Sequence, residues 1–332
     1  LVAIFMRLKT PKVALSVQLA RMDWIGNFLI ISSTTAVVIA LTFGGLQFPW
    51  RSANVLVPLI LGLLGLCAFL IYEIMIAVNP IIPINVIVTD RTTLSGYTQN
   101  FFNSTILATM IYWLPVYFQA CKEASPIASG VDVFGLSYTI SPFAIIAGAV
   151  VQKLGKYRPP LWFGWALTII GVALFTTLDA DTSRGAASGY EILAGCGIGV
   201  VYVCAYFPVL SPIPANKNTP ALVFYTFLRN FSLIWGVTLG GAILQNELDK
   251  RLPQEFLASL PRSRGSQLAF AAIPLIKGLN EPLKTEVRAA FAGALKVVWE
   301  ALAGIAAAGL VVSFAMKHFP LHTYVDSEWG RA

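Results

Sequence analysis

Few residues in this sequence could do chemistry, and those few sit in surroundings that should reject them. Arg229 lies within YTFLRNFSLIWG (Tyr225–Gly236), inside a long apolar stretch. On a helix Tyr225, Arg229 and Ser232 share one face, at i, i+4 and i+7. A guanidinium carries five donors in a fixed fork, so it suits an anionic ligand or a structural carbonyl partner. Asp132 lies near the outer end of another apolar block. A carboxylate there can serve as a proton carrier if water is excluded from it, against the competing role of a cap or solvent-facing residue. Glu73 and Glu300 sit near the ends of apolar runs, where snorkelling or pairing is expected. Asn100, Asn103, Tyr112, Tyr138 and Tyr202 join Tyr225 and Arg229 as candidates for lining a substrate cavity, with Asp132 as the proton-coupling candidate.

No catalytic set is legible. There is no Gly-rich phosphate loop and no HExxH, and the two histidines, His318 and His322, both follow the last apolar block. Cys67, Cys121, Cys196 and Cys204 lie in or at the edge of apolar blocks without metal-ligand spacing, as small packing residues do. No metal, cofactor or enzymatic activity is expected.

The elements that must position these residues follow from composition. Of 332 residues, 57% are hydrophobic and 12% charged, where a soluble domain has roughly 45–50% and about 25%. A single large soluble core would draw its apolar residues from short strands or amphipathic stripes; here they come in long blocks. A spanning helix needs about 20 mainly apolar residues. Eight blocks qualify: Trp24–Gly44, Val55–Val78, Tyr97–Gln119, Ile127–Val151, Pro160–Leu178, Tyr190–Pro214, Ala221–Gln245 and Leu295–Met316. The fold class is therefore an all-α integral membrane protein of about eight transmembrane helices, with the lipid bilayer as its partner. The net charge of +7 is a topology signal rather than a nucleic-acid footprint. Alternate connections hold Arg7, Lys9, Lys12, Arg21, Arg91, Lys153, Lys156, Arg158, Lys217, Lys317 and Arg331. The short connections opposite hold only Arg51, Lys122 and Arg184. The chain start and the C-terminus are expected on the cytoplasmic side. Leu1–Met6 reads as the last turns of a helix that begins earlier, so the chain is expected to be a fragment or the product of an incomplete gene model. The segment Asn246–Ala294, with four prolines and the patch FAAIPLI (Phe270–Ile276), is expected to be a long extracytoplasmic loop. It would either hold short surface helices or be partly disordered.

Polarity differs between blocks. The third carries Gln99, Asn100, Asn103, Ser104, Thr105 and Thr109, and the seventh carries Tyr225, Thr226, Arg229, Asn230 and Ser232; the fifth and eighth are almost wholly apolar. Some helices would line a wet interior and others face lipid, with helix–helix glue as the alternative use of polar groups. Gly195, Gly197 and Gly199 permit close helix approach, and Pro142, Pro208 and Pro212 are expected to bend their helices.

Several stretches resemble a known family. LARMDWIGNFLI (Leu19–Ile30) and LTFGGLQFPW (Leu41–Trp50) look like the linker helices of fungal major facilitator drug:proton antiporters with fourteen spans. LPVYFQACKEASPIASGVD (Leu114–Asp132), VVQKLGKYRPP (Val150–Pro160) and FYTFLRNFSLIWGVTLGGAILQNELDKRLP (Phe224–Pro253) look like successive landmarks of the same family. The resemblance implies residues 1–23 as a helix end and cytoplasmic linker, 24–78 as two extra linker helices, 79–316 as the six-helix C-terminal half, and 317–332 as a cytoplasmic tail. It implies that the first, second, fourth and fifth helices of that half line the cavity and the third and sixth face lipid. It further implies proton-coupled efflux of small organic drugs or toxins by alternating access, in the plasma membrane or the vacuolar membrane. The N-terminal half, which in the family carries most of the proton-carrying acids, would be the missing partner. A siderophore or other solute importer, or a truncated protein that does not transport, are the alternatives.

Overall fold

The computed structural model describes residues 14–20, 22–78, 80–82, 84, 90–214, 217–260 and 268–321. Leu1–Met6 and the end of the tail lie outside them. The described residues form helices and contain no strand beyond an isolated bridge between Gly44 and Phe48. In chain order the helices are α1 (Leu15–Ala20), α2 (Trp24–Phe43), α3 (Ala53–Met75), α4 (Arg91–Lys122), α5 (Pro126–Asp132), α6 (Phe134–Leu154), α7 (Arg158–Phe175), α8 (Arg184–Cys204), α9 (Tyr206–Leu210), α10 (Asn218–Arg251), α11 (Gln254–Ser259), α12 (Leu268–Ile276) and α13 (Leu283–Phe314). With α5–α6 and α8–α9 each counted as one, eight are long and apolar enough to cross a membrane. The protein is a multi-pass, all-α membrane protein.

Local chemistry sets the ends. Asp23 caps α2 by accepting from the Gly26 amide, Asp90 caps α4 from the Thr92 amide, and Ser125 and Ser183 cap α5 and α8. Pro208 has no amide hydrogen to offer the turn before it, and the helix breaks at Ala205, between α8 and α9. Pro212 lies just past the end of α9. Helix α6 runs unbroken through Pro142, and the interruption in this span falls earlier, at Val133.

Helix α4 is the hub. It packs against α10, α13, α9 and α8, while α8 packs on α6 and α7, and α7 on α13. Small residues set these distances. On α10, Gly236 lies against the Thr105 carbonyl and Gly240 against the Trp113 indole, a G-x-x-x-G face on α4. On α8, Gly195 and Gly199 press on α6, at Leu136 and Ile140, while Gly197 between them presses on Thr168 of α7. One glycine triplet therefore packs one helix against two neighbours.

Helices α2 and α3 pack on each other and meet the bundle through α10. Their hairpin explains LTFGGLQFPW. Gly45 takes a positive φ of 82°, and the Trp50 ring folds over Gly44. The Trp50 indole donates to Asn246 Oδ1 at 3.1 Å, and Asn246 Nδ2 donates to the Gly44 carbonyl at 3.2 Å. Between α2 and α10 runs an open groove of about 420 Å³, lined by Asn27, Thr34, Phe227, Asn230 and Phe231 among others. Glu73 does not snorkel: it is 3% exposed, accepts the Ile82 amide at 3.0 Å, and lies beside Asp23 across Gly26.

The segment read as a long loop is shorter than its sequence suggests. Helix α10 runs on to Arg251, where Glu247 pairs with Lys250 at 2.8 Å and with Arg251 at 3.0 Å. Helix α13 begins at Leu283, twelve residues before its apolar block at Leu295. Charged helical turns outside the bilayer carry no hydropathy signal, so an apolar-block reading trims them. Between these helices, α11 and α12 pack their apolar residues into the main core. Two basic residues here are engaged: Lys284 pairs with Glu123 at 2.6 Å, and Arg288 donates to the carbonyls of Cys121 and Ala180, each at 3.0 Å.

Gly197→Val should break the α7–α8 contact, because backbone and the Thr168 hydroxyl, not a flexible side-chain tip, meet the new carbon. Overpacking of this kind costs about 1–3 kcal/mol. Thermal unfolding in detergent should show a lowered midpoint, and Gly189→Val, at a position with open space, should leave it near that of the unmodified chain.

Candidate functional site

Four of the expected cavity residues meet at one point. Arg229 projects from α10 toward α8 and α9, about 16 Å along the helix from its start. Its Nη1 donates to the Tyr202 hydroxyl at 2.6 Å, and its Nε donates to Asn100 Oδ1 on α4 at 3.4 Å. The guanidinium carbon lies 3.9 Å from the centre of the Tyr202 ring, 5.1 Å from Tyr225 and 5.4 Å from Tyr206. A cation over aromatic faces gains about 0.5–2 kcal/mol at each favourable contact. Tyr225 is fully buried and stacks on Tyr206 with ring centres 4.1 Å apart. Asn100 completes the frame by donating to the Tyr225 carbonyl at 2.9 Å.

Among the described residues no carboxylate pairs with Arg229. Its Nη2 is buried without a hydrogen-bond partner, as are the Tyr225 hydroxyl and Asn103 Oδ1. Arg229 as a whole is partly buried, but a covered guanidinium nitrogen with no acceptor is costly, and three tyrosine faces and one amide leave Nη2 unpartnered. The arrangement can accept one more electron-rich oxygen.

Asn103 is buried on the same face region of α4 and donates to the Ile198 carbonyl of α8 at 3.4 Å. The other expected residues lie elsewhere. Tyr112 is partly exposed against Trp113 and Phe270. Tyr138 is 69% exposed on α6, in a stripe with Ser137 and Ser141. Asp132 ends α5 and pairs with Arg184 at 3.7 Å. The sequence reading missed Tyr206, one helical turn beyond Tyr202; the spacing alone could have placed the two on one face. It also missed Glu191, fully buried in α8; a lone acid between Tyr190 and the apolar run after it was signal enough.

Several polar residues expected to line water act as glue. Gln99 accepts from the Trp165 indole at 2.8 Å and donates to Ser95, tying α4 to α7. Thr109 donates to the Gly236 carbonyl at 2.9 Å, tying α4 to α10. The apolar α7 and α13 pack behind α4 and α8, with Phe163, Ile170, Val311 and Phe314 exposed.

Comparison with known proteins bears on this bundle directly. The profile of the fungal trichothecene efflux pump family matches residues 2–122. The efflux pump FUS6 of Gibberella fujikuroi is 35% identical over 98% of this chain and 60% of its own length. The transporter gkaD of Penicillium citrinum, described as MFS-type, is 32% identical over 98% of this chain and 56% of its own. The MFS-type efflux pump MMF1 of Pseudozyma antarctica is 30% identical over 99% and 61%. Over almost its whole length the chain is similar to efflux transporters of the major facilitator superfamily. It spans about 60% of the length of the relatives it matches. The arginine cage joins α4, α8, α9 and α10.

Tyr202→Phe keeps the ring under Arg229 and removes the hydroxyl that Nη1 reaches. Hydrogen bonds to charged groups are worth about 1.5–3 kcal/mol. Thermal unfolding of the chain in detergent should show a measurable loss for Tyr202→Phe and a larger one for Tyr202→Ala.

Proposed function

We propose that this chain forms one half of a pump that exports small amphipathic organic molecules by alternating access, driven by protons. The observation that carries the reading is the Arg229 cage. A cation within a membrane-spanning helix, held by Tyr202, Tyr206 and Asn100 with its Nη2 left over, suits a substrate that combines aromatic or apolar surface with an acidic or oxygen-rich group. The printed names of the relatives, efflux pumps of fungi, support export over import.

The basic connections at Arg91, Lys153–Arg158, Lys217 and Lys317 mark the cytosolic face by the positive-inside rule. The exposed stripe of Ser137, Tyr138 and Ser141 on α6 and the exposed Thr226 and Asn230 on α10 form the surface that an opposing N-terminal half would cover. Residence in the plasma membrane accords with a pump that clears toxins from the cell. Proton drive rests on the family resemblance and on buried acids within the spans.

Arg229→Ala should lower export of an anionic amphipathic dye at least tenfold, in cells that express the chain together with an N-terminal facilitator half. Trp162→Ala is the control. Trp162 stacks between Arg158 and Phe314 on the α7–α13 side, away from the cage, and its loss should leave export within about twofold at matched expression. Equal losses in the two variants would remove Arg229 from the substrate path.

A further inference from the structure

Glu191 lies two turns into α8, fully buried, and neither of its carboxylate oxygens has a hydrogen-bond partner. It fits because residue 135 is glycine. A β-carbon built there would lie 2.8 Å from Glu191 Oε2 and 3.1 Å from its Cβ. The amides of Gly135 and Leu136 face the carboxylate. They belong to the first turn of α6, which exists as a helix start because the chain breaks at Val133. First-turn amides have no acceptor within their own helix, and a helix N-terminus favours negative charge.

The surroundings supply no counter-ion. From α5, Asp132 is the charged group that acts on Glu191, and it adds a like charge. Arg184, from the first turn of α8, is spoken for by Asp132 at 3.7 Å and the Lys122 carbonyl at 3.2 Å. The charged residues of α6 and α7, Lys153 and Arg158, lie at the opposite ends of those helices. Tyr138, the other titratable group of α6, is exposed.

The pocket therefore offers both forms of the acid a place. The neutral form suits the burial; the ionised form suits the two free amides. We propose that Glu191 is a proton-binding carboxylate of the α5–α8 corner, exchanging its proton with water at the Asp132–Arg184 end of the bundle and drawing on the Gly135 and Leu136 amides when ionised. The proton leaves as hydronium and returns from it, so no other reactant is needed. Asp132, the acid singled out by sequence, is the neighbour of this group, already engaged by Arg184. The use of the exchange to drive transport rests on the proposed export function; the exchange itself does not.

Infrared difference spectra of the purified full chain, between acid and alkaline buffer, read carboxyl protonation whether or not the chain transports. Among the carboxylic-acid carbonyl bands that appear in acid, one should be missing in Glu191→Gln and retained in Asp132→Asn. Glu191→Asp should keep the band at a displaced frequency, and glutamate carrying carbon-13 at its side-chain carboxyl should shift it without any mutation. A band lost in Asp132→Asn and kept in Glu191→Gln would overturn the proposal, as would an isotope-insensitive spectrum. If the export assay fails while the band behaves as expected, the transport reading falls and the proton site stands.

Discussion

Hydrocarbon offers no hydrogen bonds, so every polar group carried into the membrane must find its partner in the protein. That constraint organises this bundle around α4. Four of its polar residues are answered by the backbones and side chains of other helices: Asn100 by the Tyr225 carbonyl, Thr109 by Gly236, Ser95 by Val312 and Gln99 by Trp165. Each pairing fixes a register as well as satisfying a group. The small residues of α8 and α10 then close the distance, since a donor on α4 reaches a neighbouring carbonyl only where the backbones are near.

Against this background the exceptions carry information. Arg229 keeps its Nη2 free among three tyrosine rings, and Glu191 keeps two oxygens free beside two helix-start amides. They belong to different corners, one between α4, α8, α9 and α10, the other where α5, α6 and α8 meet. Other buried polar atoms also lack partners, among them Glu73 Oε1 and Trp113 Nε1, but an ionisable group left so within a span is where function would draw.

The membrane class and all eight spans could be read from the sequence because hydropathy is a local property of twenty-residue windows. Helix ends could not, since the charged turns of α10 beyond Gln245 and of α13 before Leu295 resemble loop until their ion pairs are seen. The shared face of Tyr225, Arg229 and Ser232 was legible from spacing alone; that Tyr202 and Asn100 come to the same point was not, because α4, α8 and α10 are far apart in sequence. Polar residues on α4 looked alike whether they lined water or bridged helices, and Gln99 and Thr109 proved to bridge. Tyr112 and Tyr138 were singled out by type, and type alone does not say which way a helix turns its faces.

The hairpin between α2 and α3 has a mechanical meaning. Both hydrogen bonds that join this helix pair to α10 sit at Asn246, beside Gly44 and Trp50; farther along, the two helices part around an open groove. The pair is thus pinned at one corner and slack along its length, like a door on a single pivot. A tilt of α10 would carry the pivot with it and leave the free edge behind, so the width of the slit would follow the tilt.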